Sequence, residues 1–195
     1  MDRSATVDRK TKETDIKIEI NIDGKGDTKI STGVPFFDHM LKLFAVHGFF
    51  DLNIEATGDI EVDFHHTVED VGIVLGMVFD KALKDKKGIT RYGFAVTPMD
   101  DALANVSIDL SNRPYLVYNL PKITSKAEGF DIFLAKEFFR AFSTWCKMNL
   151  HIQVLYGENE HHIIESIFKS MGRAMDLATS FDKRISGVRS SKGSI

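Results

Sequence analysis

Residues 50–59, FDLNIEATGD, and residues 148–159, MNLHIQVLYGEN, decide the fold, because the same pattern follows each of them. Each stretch alternates apolar and polar residues, as a half-buried strand does, and ends in a turn. A His-His pair comes next, HHTVE at 65–69 and HHIIE at 161–165, followed by apolar residues at helical spacing. This recurrence of strand, turn, His-His and helix predicts an internal duplication.

The remaining elements predict the same organisation in both halves. Alternating patterns predict strands at 14–22, 27–31, 51–56, 92–98, 102–110, 114–118 and 149–155. Helical spacing predicts helices at 36–46, 67–83, 132–146 and 163–175, and a polar loop covers 121–129. The predicted fold class is α+β, with halves 1–88 and 89–181 that each form a small, mostly antiparallel sheet packed on two helices. The basic tail, 182–195, is expected to be disordered unless a ligand binds it.

Composition excludes several classes of protein. Apolar residues make up 43% and charged residues 27% of the 195 residues, as in an ordinary soluble globular protein, and the net charge of -3 argues against nucleic acid as a partner. No apolar run is long enough to span a membrane. The single cysteine, Cys146, allows no internal disulfide, which favours a reducing, cytoplasmic location.

The two His-His-x-x-Glu motifs, 65–69 and 161–165, carry the chemistry. On a helix the glutamate shares a face with a histidine, and imidazole plus carboxylate suits zinc, manganese or iron. One face cannot complete a metal shell, and adjacent histidines point in different directions, so the spacing indicates two metals that share sequence elements. A single pair would be compatible with chance surface residues, whereas two copies with the same glutamate offset are not. Further candidate ligands are His39, His47 and Glu137.

Basic residues indicate a site for an anionic ligand. Arg91, Arg113, Lys169 and the tail segment 190–193 offer guanidinium, ammonium and backbone N–H donors suited to phosphate. Solvated surface charge is the alternative explanation for each of them. Asp100-Asp101 is explained by a turn, with a catalytic role as the alternative, and Glu13 would ordinarily be regarded as an exposed strand residue.

Five segments, in order along nearly the whole chain, resemble one known family. They are Gly33–Leu41 (GVPFFDHML), His65–Asp70 (HHTVED), Asp109–Tyr115 (DLSNRPY), His161–Lys169 (HHIIESIFK) and Ser190–Gly193 (SSKG). The family is the imidazoleglycerol-phosphate dehydratases of histidine biosynthesis. The resemblance implies a ribosomal protein S5 domain 2-like fold and the dehydration of D-erythro-imidazole-glycerol phosphate to imidazole-acetol phosphate. It also implies two manganese ions per subunit and twenty-four subunits built from trimers, with sites at subunit interfaces.

The resemblance also implies roles for individual residues. The implied metal ligands are His39, His65, His66, Glu69, His161, His162 and Glu165. Many members have histidine where this chain has Glu137, and we retain Glu137 as a ligand because a carboxylate can replace imidazole on manganese. The substrate contacts are expected to be Glu13, His39, His47, His65, Glu69, Arg91, Arg113, His161, Glu165, Lys169, Ser191, Lys192 and Gly193. The candidates for proton transfer are Glu13, Glu69, Glu165 and His47.

Two other functions compete with the dehydratase prediction. A metal-dependent phosphatase would use the same motifs to activate water, and it would release phosphate from simple esters. A metal-buffering or structural assembly protein would form metal-dependent oligomers without turnover. The second alternative leaves Arg91, Arg113 and the basic tail without a role.

Overall fold

The structure, a computed structural model, describes residues 3–121 and 130–193. The first half contains β1 (Ser4–Lys10), β2 (Thr14–Asn21), β3 (Thr28–Ser31), α1 (Pro35–His47), β4 (Asp51–Gly58) and α2 (His65–Leu83). The second half contains β5 (Tyr92–Met99), β6 (Ala102–Asp109), β7 (Tyr115–Asn119), α3 (Ile132–Trp145), β8 (Asn149–Tyr156) and α4 (Glu160–Thr179). Both halves therefore run as three strands, a helix, a strand and a helix.

The two sheets have the same topology. The strand order is β1-β2-β4-β3 in the first half and β5-β6-β8-β7 in the second. In each sheet the last pair, β3 with β4 or β7 with β8, is parallel and the others are antiparallel. The predicted duplicated α+β fold is confirmed.

The first strand, β1, has no counterpart in the sequence-based prediction. It pairs antiparallel with β2, so that Val7 lies opposite Ile18. Ala5 and Val7 of this strand are partly buried. Arg9 forms a salt bridge with Asp70 at 2.6 Å. Because Ala5 and Val7 are its only apolar residues, the alternation of β1 is too short to be recognised as a strand from the sequence.

The helices of the two halves pack against each other, α1 on α4 and α2 on α3, and each pair also covers the sheets. The core between them is rich in phenylalanine, including Phe37, Phe44, Phe79, Phe138, Phe142 and Phe168. Glycines permit the close approach of α2 to α3. A Cβ atom added at Gly72 would lie 2.6 Å from the carbonyl oxygen of Phe138. This arrangement brings the His-His pair of each half close to a helix of the other half.

We expect Gly72→Ala to destabilise the protein, although alanine is the better helix former by about 1 kcal/mol. The new methyl group overlaps backbone of α3, which must move, and such overpacking typically costs about 1–3 kcal/mol. Guanidinium denaturation should show the loss as a lower midpoint. Lys136→Ala is the control, since it adds alanine to an exposed position of α3 and should leave stability nearly unchanged. An unchanged midpoint for Gly72→Ala would contradict the close packing.

The tail follows a defined path although the sequence alone predicts disorder for it without a ligand. The Asp182 N–H donates to the Gly88 carbonyl at 2.9 Å, and the Gly88 N–H donates to the Gly187 carbonyl at 2.8 Å. These bonds hold the tail beside the start of β5. The predicted loop at 121–129 lies, apart from Pro121, outside the described residues. Within the described ranges, no helix is long and apolar enough to cross a bilayer.

Candidate active site

Each His-His pair lies in the first turn of a helix, and the side chain of a nearby preceding polar residue accepts a hydrogen bond from the first histidine's N–H. The Asp63 carboxylate accepts a hydrogen bond from the His65 N–H at 2.7 Å. The Asn159 side chain accepts from the His161 N–H at 2.9 Å. The helices α2 and α4 therefore begin two and three residues earlier than periodicity predicts, because polar side chains before and within the first turn extend them beyond the apolar pattern.

A first cluster, consisting of His39, His161, Glu165 and Lys169, joins the two halves. His161 Nε2 lies 3.3 Å from Glu165 Oε2, one turn along α4, and His39 Nε2 of α1 lies 3.7 Å from the same oxygen. His39, His161 and Glu165 form a group of three whose ligand atoms all lie within 4.8 Å of one another. It is the one such group of histidine, cysteine or acidic residues in the described part of the chain. Such a trio has the donors and spacing that a divalent metal needs.

Glu165 is the charged member of that trio, and its surroundings keep it ionised. Its side chain is only 9% exposed. Burial raises the pKa of Glu165, but a hydrogen bond from Lys169 at 2.6 Å and the two nearby histidines outweigh burial and lower it overall. Lys169 holds Oε1, while Oε2 faces the imidazoles. The cluster thus presents a fixed carboxylate oxygen between two ring nitrogens.

A second cluster, consisting of His65, Glu69, Glu137 and Arg140, is the counterpart made by α2 and α3. His65 Nε2 lies 3.4 Å from Glu69 Oε2. Arg140 donates to Glu69 Oε1 at 2.8 Å and, through Nε, to Glu137 Oε2 at 2.7 Å. Glu137 lies on α3, the counterpart of the helix α1 that carries His39, and the Arg140 guanidinium links Glu137 to the carboxylate of Glu69.

The second histidine of each pair, His66 or His162, turns away from both clusters. His66 Nδ1 lies 3.0 Å from Asp59 and 4.0 Å from Glu13. The hydrogen bond with Asp59 raises the pKa of His66. His162 Nδ1 pairs with Asp101, and this contact holds the pKa of Asp101 well below its usual range. A carboxylate on one ring nitrogen is the usual support of a metal-binding histidine.

His47 ends α1 and stands apart from the trio of ligand atoms. Burial lowers the pKa of His47, and the positive charges of Lys169 and Arg173 lower it further. The imidazole is consequently neutral at neutral pH, the form in which it accepts a proton.

Four predicted substrate contacts, Arg91, Arg113, Ser191 and Lys192, line one cleft together with Arg189. Arg91 is 7% exposed and donates to both oxygens of Asp109, at 2.6 and 3.0 Å. Its Nη1 donates to the Arg189 carbonyl at 2.7 Å, which ties the tail to the cleft. Within one chain the structure does not bring Lys169 into this cleft, because Lys169 lies beside Glu165.

Several residues of the site escape prediction from the sequence. Asp59 resembles an ordinary turn residue, the sequence explains Asp101 first by a turn, and no local pattern marks Asp109, which is the last residue of β6. Arg140 had a usable signal, because an arginine three residues after Glu137 lies on the same helix face. In contrast, Cys146 behaves as the structural thiol expected for an apolar stretch, since burial raises its pKa to about 12.

The family comparison agrees with this arrangement of residues. The family model described as imidazoleglycerol-phosphate dehydratase matches residues 32–175, a range that includes both His-His pairs. The chain belongs to the imidazoleglycerol-phosphate dehydratase family. It therefore belongs with hydro-lyases of histidine biosynthesis, as the five sequence segments indicate. The expectations for metals and for individual residues remain predictions.

Relatives and solved structures support the assignment over the full length. The chain is 64% identical to the imidazoleglycerol-phosphate dehydratase of Desulfosudis oleivorans over 195 residues, which is 100% of both chains. It is 58% identical to the Pelobacter propionicus enzyme, covering 99% of each. The crystal structure of the Staphylococcus aureus dehydratase has 40% identity and a TM-score of 0.82, covering 92% of this chain and 99% of that one. The Pyrococcus furiosus structure, also 40% identical, has a TM-score of 0.85 and covers 97% and 100%.

Proposed function

We propose that the chain dehydrates D-erythro-imidazole-glycerol phosphate to imidazole-acetol phosphate and that it does so with two manganese ions per subunit. The observation that carries the metal dependence is the first cluster, where His39, His161 and Glu165 converge within 4.8 Å. Two nitrogens and one oxygen suit manganese, zinc or iron, and the family resemblance favours manganese. The second cluster offers His65, Glu69 and Glu137 as the corresponding donors.

The reaction explains why the site needs a metal. The proton to be removed lies on a carbon that no carbonyl group acidifies, so a side-chain base alone would face a poor acid. A bound divalent ion would act as a Lewis acid toward the substrate's imidazole ring, which then serves as the electron sink.

The chain's own residues bind the substrate and move protons. Arg91, Arg113 and the tail hold the phosphate and thereby fix the position of the carbon chain. Glu13 is the preferred base, because a carboxylate that does not bind metal is more basic than one that does, and it lies beside His66. His47, being neutral, is the next candidate.

We also propose the implied assembly of twenty-four subunits from trimers, in the cytoplasm. Aromatic side chains that are largely exposed on one chain support self-association, including Phe49, Phe94, Tyr115 and Phe133. His66 and His162, turned away from their own clusters, support sites completed between copies.

The function is tested by incubating the protein with imidazole-glycerol phosphate and Mn²⁺. We expect an enolisable keto product that retains its phosphate. Release of inorganic phosphate from this substrate or from simple phosphate esters would instead indicate the phosphatase. Metal-dependent assembly without turnover would indicate the metal-buffering alternative.

Lys192→Ala should mainly raise KM, because the tail is proposed to bind phosphate rather than to react. The loss of one charge-assisted bond corresponds to about 1–3 kcal/mol in kcat/KM. Steady-state kinetics of Lys192→Ala and of Lys183→Ala provide the comparison, since Lys183 is another exposed lysine of the tail outside the cleft. An unchanged KM for Lys192→Ala would remove the tail from the substrate site.

A further inference from the structure

The two clusters differ in their third side chain and in what the neighbouring cation contacts. In the first cluster the third side chain is the imidazole of His39, which faces Oε2 of Glu165. Lys169 bonds the other oxygen of that carboxylate, Oε1. In the second cluster the third side chain is Glu137, and Arg140 contacts both Glu137 and Glu69. The cation of the second cluster is thus bonded to two of the three side chains that are proposed to bind metal there.

We propose that Arg140 is an internal counter-ion of the second cluster, competing with a divalent metal ion so that the first cluster binds metal before the second. This inference rests on the proposed metal role of both clusters. A metal ion that enters the second cluster meets a guanidinium that bonds both carboxylates, at 2.8 Å from Glu69 Oε1 and 2.7 Å from Glu137 Oε2. In the first cluster Lys169 bonds a single carboxylate, that of Glu165, which leaves Oε2 to the imidazoles. Like charges at such separations repel, and guanidinium–carboxylate bonds are among the stronger hydrogen bonds.

Glu137 is the residue that brings Arg140 into the cluster. The two are three residues apart on α3, and Arg140 Nε donates to Glu137 Oε2 at 2.7 Å. A histidine at position 137 would be neutral and would leave Arg140 with Glu69 as its single carboxylate partner in the cluster. The side chain of Arg140 is 54% exposed, so it can move into solvent when a metal ion displaces it. Competition therefore delays metal binding without preventing it.

The experiment is a titration of the metal-free, full-length protein with Mn²⁺, with free Mn²⁺ measured by electron paramagnetic resonance. We expect the wild type to bind Mn²⁺ in two steps of unequal affinity. Arg140→Ala should bind the second ion about tenfold more tightly and leave the first step unchanged, because one positive charge beside the site is removed. Arg140→Gln, which retains most of the side chain, should do the same and covers the case in which Arg140→Ala does not fold.

Lys147→Ala is the matched control. Lys147 is also half-exposed and also links the α3 side of the molecule to α2, through Asp80 at 2.7 Å. Its removal should change neither step. The inference would be overturned if the wild type bound both ions with equal affinity. It would also be overturned if the second step were unchanged or weaker in both Arg140 variants, or if Lys147→Ala tightened that step equally. A wild type that binds no Mn²⁺ would overturn the proposed metal role as well, so the two failures are distinguishable.

Discussion

Glu165→Gln is expected to lower kcat/KM by at least about 10³-fold, the scale on which loss of a catalytic metal acts. Glu165 supplies the one carboxylate of the first cluster, with Oε2 between two imidazoles. The amide removes the negative charge and leaves the ammonium of Lys169 beside the metal position without its counter-charge. We therefore expect the variant to contain one Mn²⁺ fewer per chain.

The measurement combines kcat/KM with metal content and circular dichroism. Glu61→Gln is the matched control, because Glu61 is an exposed glutamate outside both clusters. It should retain wild-type activity and metal content. A Glu165→Gln protein that keeps both its metal and its activity would show that the first cluster is not the catalytic metal site.

The pairing of residues within the two clusters follows largely from local helix geometry, which sequence spacing can anticipate. A glutamate four residues after a histidine lies on the same helix face, as His161 and Glu165 show at 3.3 Å. The opposite directions of neighbouring histidines follow from the same geometry, and the structure places His65 with Glu69 but His66 with Asp59. The duplication accounts for the third residue, because His39 of the first half lies 3.7 Å from Glu165 of the second half.

Prediction fails where contacts depend on the tertiary fold. The strand β1 contributes little apolar surface, and its position is determined by pairing with β2. The path of the tail depends on backbone hydrogen bonds to Gly88 and on the side chain of Arg91, which no local pattern indicates. The bridge from Arg140 to Glu69 spans two helices, so sequence spacing identifies only its Glu137 end. Within one chain Lys169 lies beside Glu165 and not in the basic cleft, and its role as a substrate contact stays a prediction.

The duplication produces two similar but unequal sites rather than one site repeated. Both clusters combine a His-x-x-x-Glu helix with a third residue from the opposite half, and in both a cation holds the glutamate's Oε1. The third residue is His39 in the first cluster and Glu137 in the second, so the charge of the cluster differs while the helices that carry it correspond. The proposed substrate carries an imidazole ring with two nitrogens, for which two inequivalent metal ions would be chemically useful.

Chelation of the metal should abolish activity and loosen the assembly together. Each cluster provides at most three donors from one chain, fewer than the six that manganese commonly takes in octahedral sites. His66 and His162, which carry the carboxylate support typical of ligands, face away from both clusters of their own chain. If a neighbouring copy supplies these histidines, each ion is both a catalyst and a connection between subunits.

The test is treatment with a chelator, followed by activity measurements and light scattering on the same sample. We expect smaller particles without turnover, and recovery of both size and activity when Mn²⁺ is restored. Restoring Mg²⁺ alone tests selectivity, because imidazole donors favour manganese over magnesium and recovery should be poor. A metal-free protein that stays fully assembled and active would refute the metal role. Loss of activity with intact assembly would instead place all the ligands of each ion within a single chain.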